Sequence, residues 1–306
     1  MEKKIYLGMF FMVLVLLVGF VSAGFLDDFY ARITGKAQSS TTALNITIGN
    51  SAPTVSFVAA IPAITPNENG VNYTEFIINA TDADGVANLD DNSAEARFEL
   101  SGETTRVNAS CILLADIDAN SANYSCTVGM YYFDKNDASW TVNATILDTN
   151  GARGINASTS VTFNPLTAMV MSPTALTWAE FGVADTNQES DNDPIILNNT
   201  GNGVDLSINV TGLNLQGEET PTQFIFAANL TVNNVTADCP GGTAMLNATS
   251  LNVTSTILQR GNNSLNNNNA TSGQEQMFFC VTAVNPDISS QSYSSAAYGT
   301  WTIQII

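Results

Sequence analysis

Four cysteines, one Asp-rich loop and a crowd of Asn-x-Ser/Thr tripeptides are the parts of this sequence that could do chemistry. The cysteines fall as two local pairs, Cys111 with Cys126 and Cys239 with Cys280. Such pairs read as disulfides, each closing a loop and stabilising its domain by roughly 3–4 kcal/mol in the chain-entropy account. The chain holds no histidine and no Cys-x-x-Cys, which excludes a zinc site. It also removes Ser/His/Asp and Cys/His nucleophile systems. Glu95 with Glu99, and Glu218 with Glu219, are paired acids of the kind that cut glycosidic bonds, but neighbouring acids on strands and loops are ordinarily just solvated. No glycine-rich loop that cradles phosphate occurs. The expectation is a protein that is not an enzyme.

The strongest metal candidate is Asp82-Ala-Asp-Gly-Val-Ala-Asn-Leu-Asp-Asp-Asn92, where oxygen ligands crowd one loop. Calcium takes six to eight oxygens in flexible geometry, so Asp82, Asp84 and Asp90 are its candidate ligands, and calcium is the one cofactor the residues suggest. The spacing is not that of an EF-hand. The plainer account is an Asx-rich connection kept in water by its own polarity. Asp185, Asp191 and Asp193 form a weaker second group.

About fifteen Asn-x-Ser/Thr tripeptides occur, where random placement would leave about seven. They include Asn45, Asn72, Asn79, Asn108, Asn143, Asn209, Asn229, Asn247 and Asn252, and Asn72, Asn143, Asn209 and Asn229 are the expected glycosylation sites. In Asn143-Ala-Thr145 and Asn209-Val-Thr211 the Asn and Thr share one strand face, and the middle residue takes the other. Polar alternation built on β-favouring threonine makes the same tripeptide without any sugar.

These residues sit on a pattern of period two. Phe76, Ile78, Ala80; Trp140, Val142, Ala144, Ile146; Leu206, Ile208, Val210; Phe224, Phe226, Ala228, Leu230, Val232; and Trp301, Ile303, Ile305 each alternate with polar residues. Turn signals bound the runs, as at Asp82-Ala-Asp-Gly85, Asp148-Thr-Asn-Gly151 and Pro240-Gly-Gly242. The expected fold is all-β: two tandem antiparallel β-sandwiches, which the resemblance given below makes immunoglobulin-like, behind an N-terminal signal or anchor segment. The divisions are 1–23 for that segment, 24–50 for a tether ending in a strand over Leu44, Ile46 and Ile48, 51–165 for the first sandwich and 166–306 for the second. Gly261 to Gly273 reads as a polar loop.

The N-terminal segment has Lys3 and Lys4 before an uncharged run, Ile5 to Val21, with Val21-Ser-Ala23 as a cleavage site. The rest of the chain is then expected outside the cytoplasmic membrane, secreted or at the cell surface. Net charge is −19, chiefly because Lys and Arg number only 9. Such a surface repels nucleic acid.

Asn79-Ala-Thr-Asp-Ala-Asp-Gly85 and Asn143-Ala-Thr-Ile-Leu-Asp-Thr-Asn-Gly151 both run from a strand into an Asp-rich turn closed by glycine. Through these turns the first sandwich resembles the immunoglobulin-like repeats of archaeal and bacterial cell-surface proteins. Ala175-Leu-Thr-Trp-Ala-Glu-Phe-Gly182, Pro194-Ile-Ile-Leu-Asn-Asn-Thr-Gly-Asn202 and Leu206-Ser-Ile-Asn-Val210 look like the opening of another such module. The resemblance implies a structural or adhesive envelope component. Its expected partners are envelope proteins or copies of itself, with membrane contact only through the N-terminal segment. A pilin-like subunit cut at Gly8 and a secreted carbohydrate- or calcium-binding module using Tyr131, Tyr132 and Trp178 are the alternatives.

Overall fold

The computed structural model describes residues 32, 42–235, 239–261 and 273–306. The signal or anchor segment, most of the tether and most of the Gly261 to Gly273 loop lie outside the described residues. Among those described after residue 42 the chain is all-β, with short 3-10 turns as its helical elements. Residues 50–306 form one compact unit.

Eight strands build its first half: β1 (Thr54–Val58), β2 (Val71–Thr81), β3 (Glu95–Glu99), β4 (Arg106–Asn108), β5 (Ile112–Asp116), β6 (Ser121–Tyr131), β7 (Asp137–Leu147) and β8 (Arg153–Phe163). They form two antiparallel sheets, ordered β1-β2-β6-β5 and β4-β3-β7-β8. Alternation drives their apposition. On β7, Trp140, Val142, Ala144 and Ile146 are all fully buried, and on β2 Phe76, Ile78 and Ala80 face them from the other sheet. Phe76 and Phe98 stack between the layers at 5.7 Å. Burying side chains of this size contributes about 1.5–3 kcal/mol each, which is what draws the two apolar faces together.

A second buried cluster runs from Ile195 to Val284. Its larger sheet places Ile195–Asn199 between Met169–Ser172 and Gln274–Val281, and Gln274–Val281 pairs in turn with Leu230–Asn233. Another sheet holds Leu206–Gly212 between Thr249–Leu258 and Thr302–Ile305. Leu206, Ile208 and Val210 point inward as their spacing requires. The architecture is sandwich-like in both halves.

Two strand expectations fail. Residues 42–49 take no regular structure, and Leu44, Ile46 and Ile48 are exposed. Period two shows that a segment suits a strand but cannot supply the neighbour it must bond to. The run from Phe224 to Val232 is broken by a 3-10 turn at Ala227–Asn229. Ile225 and Ala227 are buried, Phe226 is exposed, and the inward phase resumes on Leu230 and Val232. An odd number of helical residues between strand pieces shifts the parity, so Phe224, Phe226 and Ala228 cannot share a face with Leu230.

Candidate functional site

Three sets of polar residues stand out on this framework: two Asp turns, the sequon asparagines and the turn Asn199-Thr-Gly-Asn202. The Asp turns are built alike. Asp82 Oδ1 accepts the Asp84 amide at 2.8 Å, and Asp148 Oδ1 accepts that of Asn150 at 2.9 Å. In each, the glycine three residues on donates back to the Asp carbonyl, and Gly85 and Gly151 have φ of 113° and 84°. Only glycine takes such a conformation without steric cost. This shared device is the internal echo visible in the sequence.

The two turns meet. Asn88 donates to Asp82 Oδ2 at 3.1 Å and accepts from the Thr149 hydroxyl at 2.6 Å. Asn50 donates to Asp148 Oδ2 at 2.6 Å and accepts from Asn150 at 2.7 Å. Asp84 accepts the Ser51 amide at 2.6 Å, and Asp90 caps a 3-10 turn through the Asn92 amide. The expected calcium ligands Asp82, Asp84 and Asp90 are thus each bonded by amides of their own surroundings. No group of three or more acidic, histidine or cysteine side chains fit to hold a metal occurs among the described residues. Asp185 and Asp193 are likewise spent separately, on the Gly182 and Phe279 amides.

The sequon asparagines differ in what their side chains already do. Asn72 shares its strand face with Phe76 and Ile78, while Tyr73 points to solvent. Its amide nitrogen donates to Thr65 O at 3.0 Å. Asn143 donates to Glu99 Oε2, and its own Oδ1 is buried without a partner. Thr145 has outward parity but is buried, paired in register with Glu95 and Ile155. Asn209 and Asn229 use their oxygens as acceptors, from Asn252 Nδ2 and the Phe226 amide. Asn247 and Asn252 are exposed.

Each aromatic weighed for a carbohydrate platform is packed against other groups of the chain. Tyr132 is buried, Arg106 lies 4.4 Å over the Tyr131 ring, and Trp178 packs on the second cluster while donating to Gln188 O at 3.1 Å. Two disulfides are formed, Cys111–Cys126 and Cys239–Cys280, with Cα separations of 4.4 Å and 5.3 Å. Bonds of this kind persist in oxidising surroundings.

The third set drew notice in the sequence only as part of the second module's opening, and its role is to bind the halves. Asn199, Thr200 and Asn202 are completely buried. Asn202 exchanges bonds with Leu166 at 2.7 and 3.0 Å and donates to Asn164 O at 3.0 Å. Thr200 donates its amide to Ala168 O and its hydroxyl to Glu68 Oε1, and its carbonyl accepts the Asn69 amide. A Cβ at Gly201 would collide with the Leu166 carbonyl, so glycine is required there. Arg260 adds a second tie, donating to Phe133 O at 2.8 Å and pairing with Glu103. The segment marked by sequence as a boundary, Asn164 to Thr167, is therefore gripped from both sides. No protein-family model matches the chain, and no curated protein matches it significantly.

Proposed function

We propose that this chain is a non-catalytic structural or adhesive component of a prokaryotic cell envelope, built from two tandem immunoglobulin-like sandwiches held outside the cytoplasmic membrane. The observation that carries the reading is the joint. Two disulfide-bearing halves are locked through the buried Asn199-Thr-Gly-Asn202 turn, which suits a part that must hold its geometry under load. Regular connections between independent modules are exposed and mobile. Supporting it are a surface short of basic residues, which disfavours nucleic acid, and the excess of sequons, some of which carry sugar. The N-terminal segment directs export, and contact with the membrane runs through it. Neighbouring envelope proteins or copies of the chain are the partners.

Fractionation of the producing cells, with protease added to intact cells and intact-mass analysis of the recovered protein, tests this. The expected result is protein in the envelope or medium, digested from outside, with a mature start at Gly24. Recovery from the cytoplasm at full unmodified mass would overturn it.

A further inference from the structure

The outer edge of β5 is apolar from Ile112 to Ala115 and ends on the exposed Asp116, and among the described residues nothing covers it. β5 pairs with β6 on one side and ends its sheet on the other. All five of its residues are exposed, with Ile112 at 70% and Leu114 at 53%. Leu113 faces the same side as the fully buried Tyr124, its partner in register, yet stays open because no strand among the described residues flanks it. Natural sheets guard such edges with lysine, proline, bulges or a covering segment. Here residues 112–115 carry no charge, and the guard is a bulge between Leu113 and Ala115, which limits pairing to a short segment.

The same chain holds a short segment that pairs with no strand among the described residues. Leu44-Asn-Ile-Thr-Ile48 alternates apolar and polar residues over five positions, the length of β5, and it too is uncharged. Yet it belongs to no strand, and Leu44, Ile46 and Ile48 are 79%, 74% and 88% exposed. Isolated apolar side chains on a surface are ordinary, but a row of three at strand spacing on an unpaired backbone is a strand without a sheet. Charge selects where copies can meet. At −19 most faces of the chain repel one another, whereas these two stretches bring no like charges together.

We propose that Leu44–Ile48 of one copy adds as a strand to the β5 edge of a second copy, so that the chain associates head to tail. Main-chain hydrogen bonds supply the pairing, and the Leu44, Ile46 and Ile48 row covers the open side chains of β5. Because donor and acceptor are different surfaces, each copy offers both, and the contact propagates rather than closing as a dimer. Five residues bury far less than the ~1,600 Å² of a standard interface, so a single contact is weak. It becomes effective where copies are concentrated side by side and engage repeatedly. The inference deepens the envelope reading and rests on it for where copies meet. That reading is scored on location and this one on strand contact, so either can fail without the other.

The test is disulfide trapping in cells that make the full chain. An Ile46→Cys chain with one epitope tag is produced together with a Leu114→Cys chain bearing another, and mixed-tag dimers are scored on non-reducing gels. Both residues are exposed, so the cores are undisturbed, and peptide mapping confirms that Cys111 and Cys126 remain joined. A Val170→Cys chain is the control, because Val170 is half-exposed on another edge strand. The expected outcome is about tenfold more mixed dimer with Leu114→Cys than with the control, as strand register enforces proximity. Adding Ile112→Lys to the acceptor chain should abolish the dimer. Equal trapping by Val170→Cys, or no mixed dimer, overturns the proposal. So does a chain carrying both Ile46→Cys and Leu114→Cys that closes only on itself.

Discussion

Asn50 donates its side-chain amide to Asp148 Oδ2 at 2.6 Å, fastening the start of the compact unit to the turn between β7 and β8. That bond, followed by the turn's backbone amides, holds the Asp148 carboxyl below the usual carboxylate range. A depressed native pKa contributes stability that is present above the unfolded value of about 3.9 and is lost as pH falls through the lower native value. Asn50→Ala is therefore expected to melt earlier than wild type at pH 7. The gap should narrow below about pH 4, as Asp148 protonates in both proteins. Thermal melts across pH 2.5–7 read this directly.

Trp140 lies fully buried on β7, and its indole N–H donates to Lys135 O at 2.9 Å. Trp140→Ala leaves a large cavity and an unpaired carbonyl. The expected loss is about 3–5 kcal/mol, measured by chemical denaturation. Trp140→Phe, which keeps most of the packing, should lose much less.

Asp193 behaves in the opposite sense to Asp148. Burial pushes its carboxyl up to about 6, against the opposing bond from the Phe279 amide, and Glu189 adds to the rise. Its second oxygen is buried without a partner. Between the unfolded value near 4 and about 6 the native state binds more proton than the unfolded one, so stability falls as pH rises across that window. Glu275 is raised by burial too and acts in the same direction. Asp193→Asn should flatten part of this slope and raise the melting temperature at pH 7, with little change at pH 4.

Sugar attaches through the asparagine side-chain nitrogen. Asn72 and Asn143 already use that nitrogen, on Thr65 O and Glu99, whereas Asn209 and Asn229 use their oxygens instead. Glycopeptide mass spectrometry of native protein should find Asn209 and exposed Asn247 occupied more fully than Asn72 and Asn143. Equal occupancy at all four would show that the folded arrangement has no bearing on attachment.

How far the sequence could be read depended on how local the cause was. Trp140, Val142, Ala144 and Ile146 are buried because alternation on one uninterrupted strand needs no knowledge of its neighbours. The cysteines were legible because each lies close to its partner along the chain. Phe226 was misplaced because a three-residue turn reset the phase after it, and no residue type there announces a 3-10 turn. The face of Asn72 follows from Phe76 and Ile78 further along the strand, which the tripeptide alone does not reveal. Asp82, Asp84 and Asp90 are near in sequence, but each bonds a different amide, and only tertiary contacts such as Asn88 and Ser51 decide that. Thr200 was passed over for the same reason: a polar residue in an Asn/Gly turn reads as solvated until Glu68 and Ala168 are seen against it.

The gripped segment between the two clusters also bears on how the chain resists cutting. A protease must draw several residues into an extended, accessible form before it can cleave. Around Asn164-Pro-Leu-Thr167 that requires releasing the bonds of Asn202 to Leu166 and Asn164, and of Thr200 to Ala168. Those bonds end on buried groups, so opening them means opening the joint. The stretch that composition marks as the natural place to divide this chain is thus shielded from digestion, and the two halves survive or are degraded together.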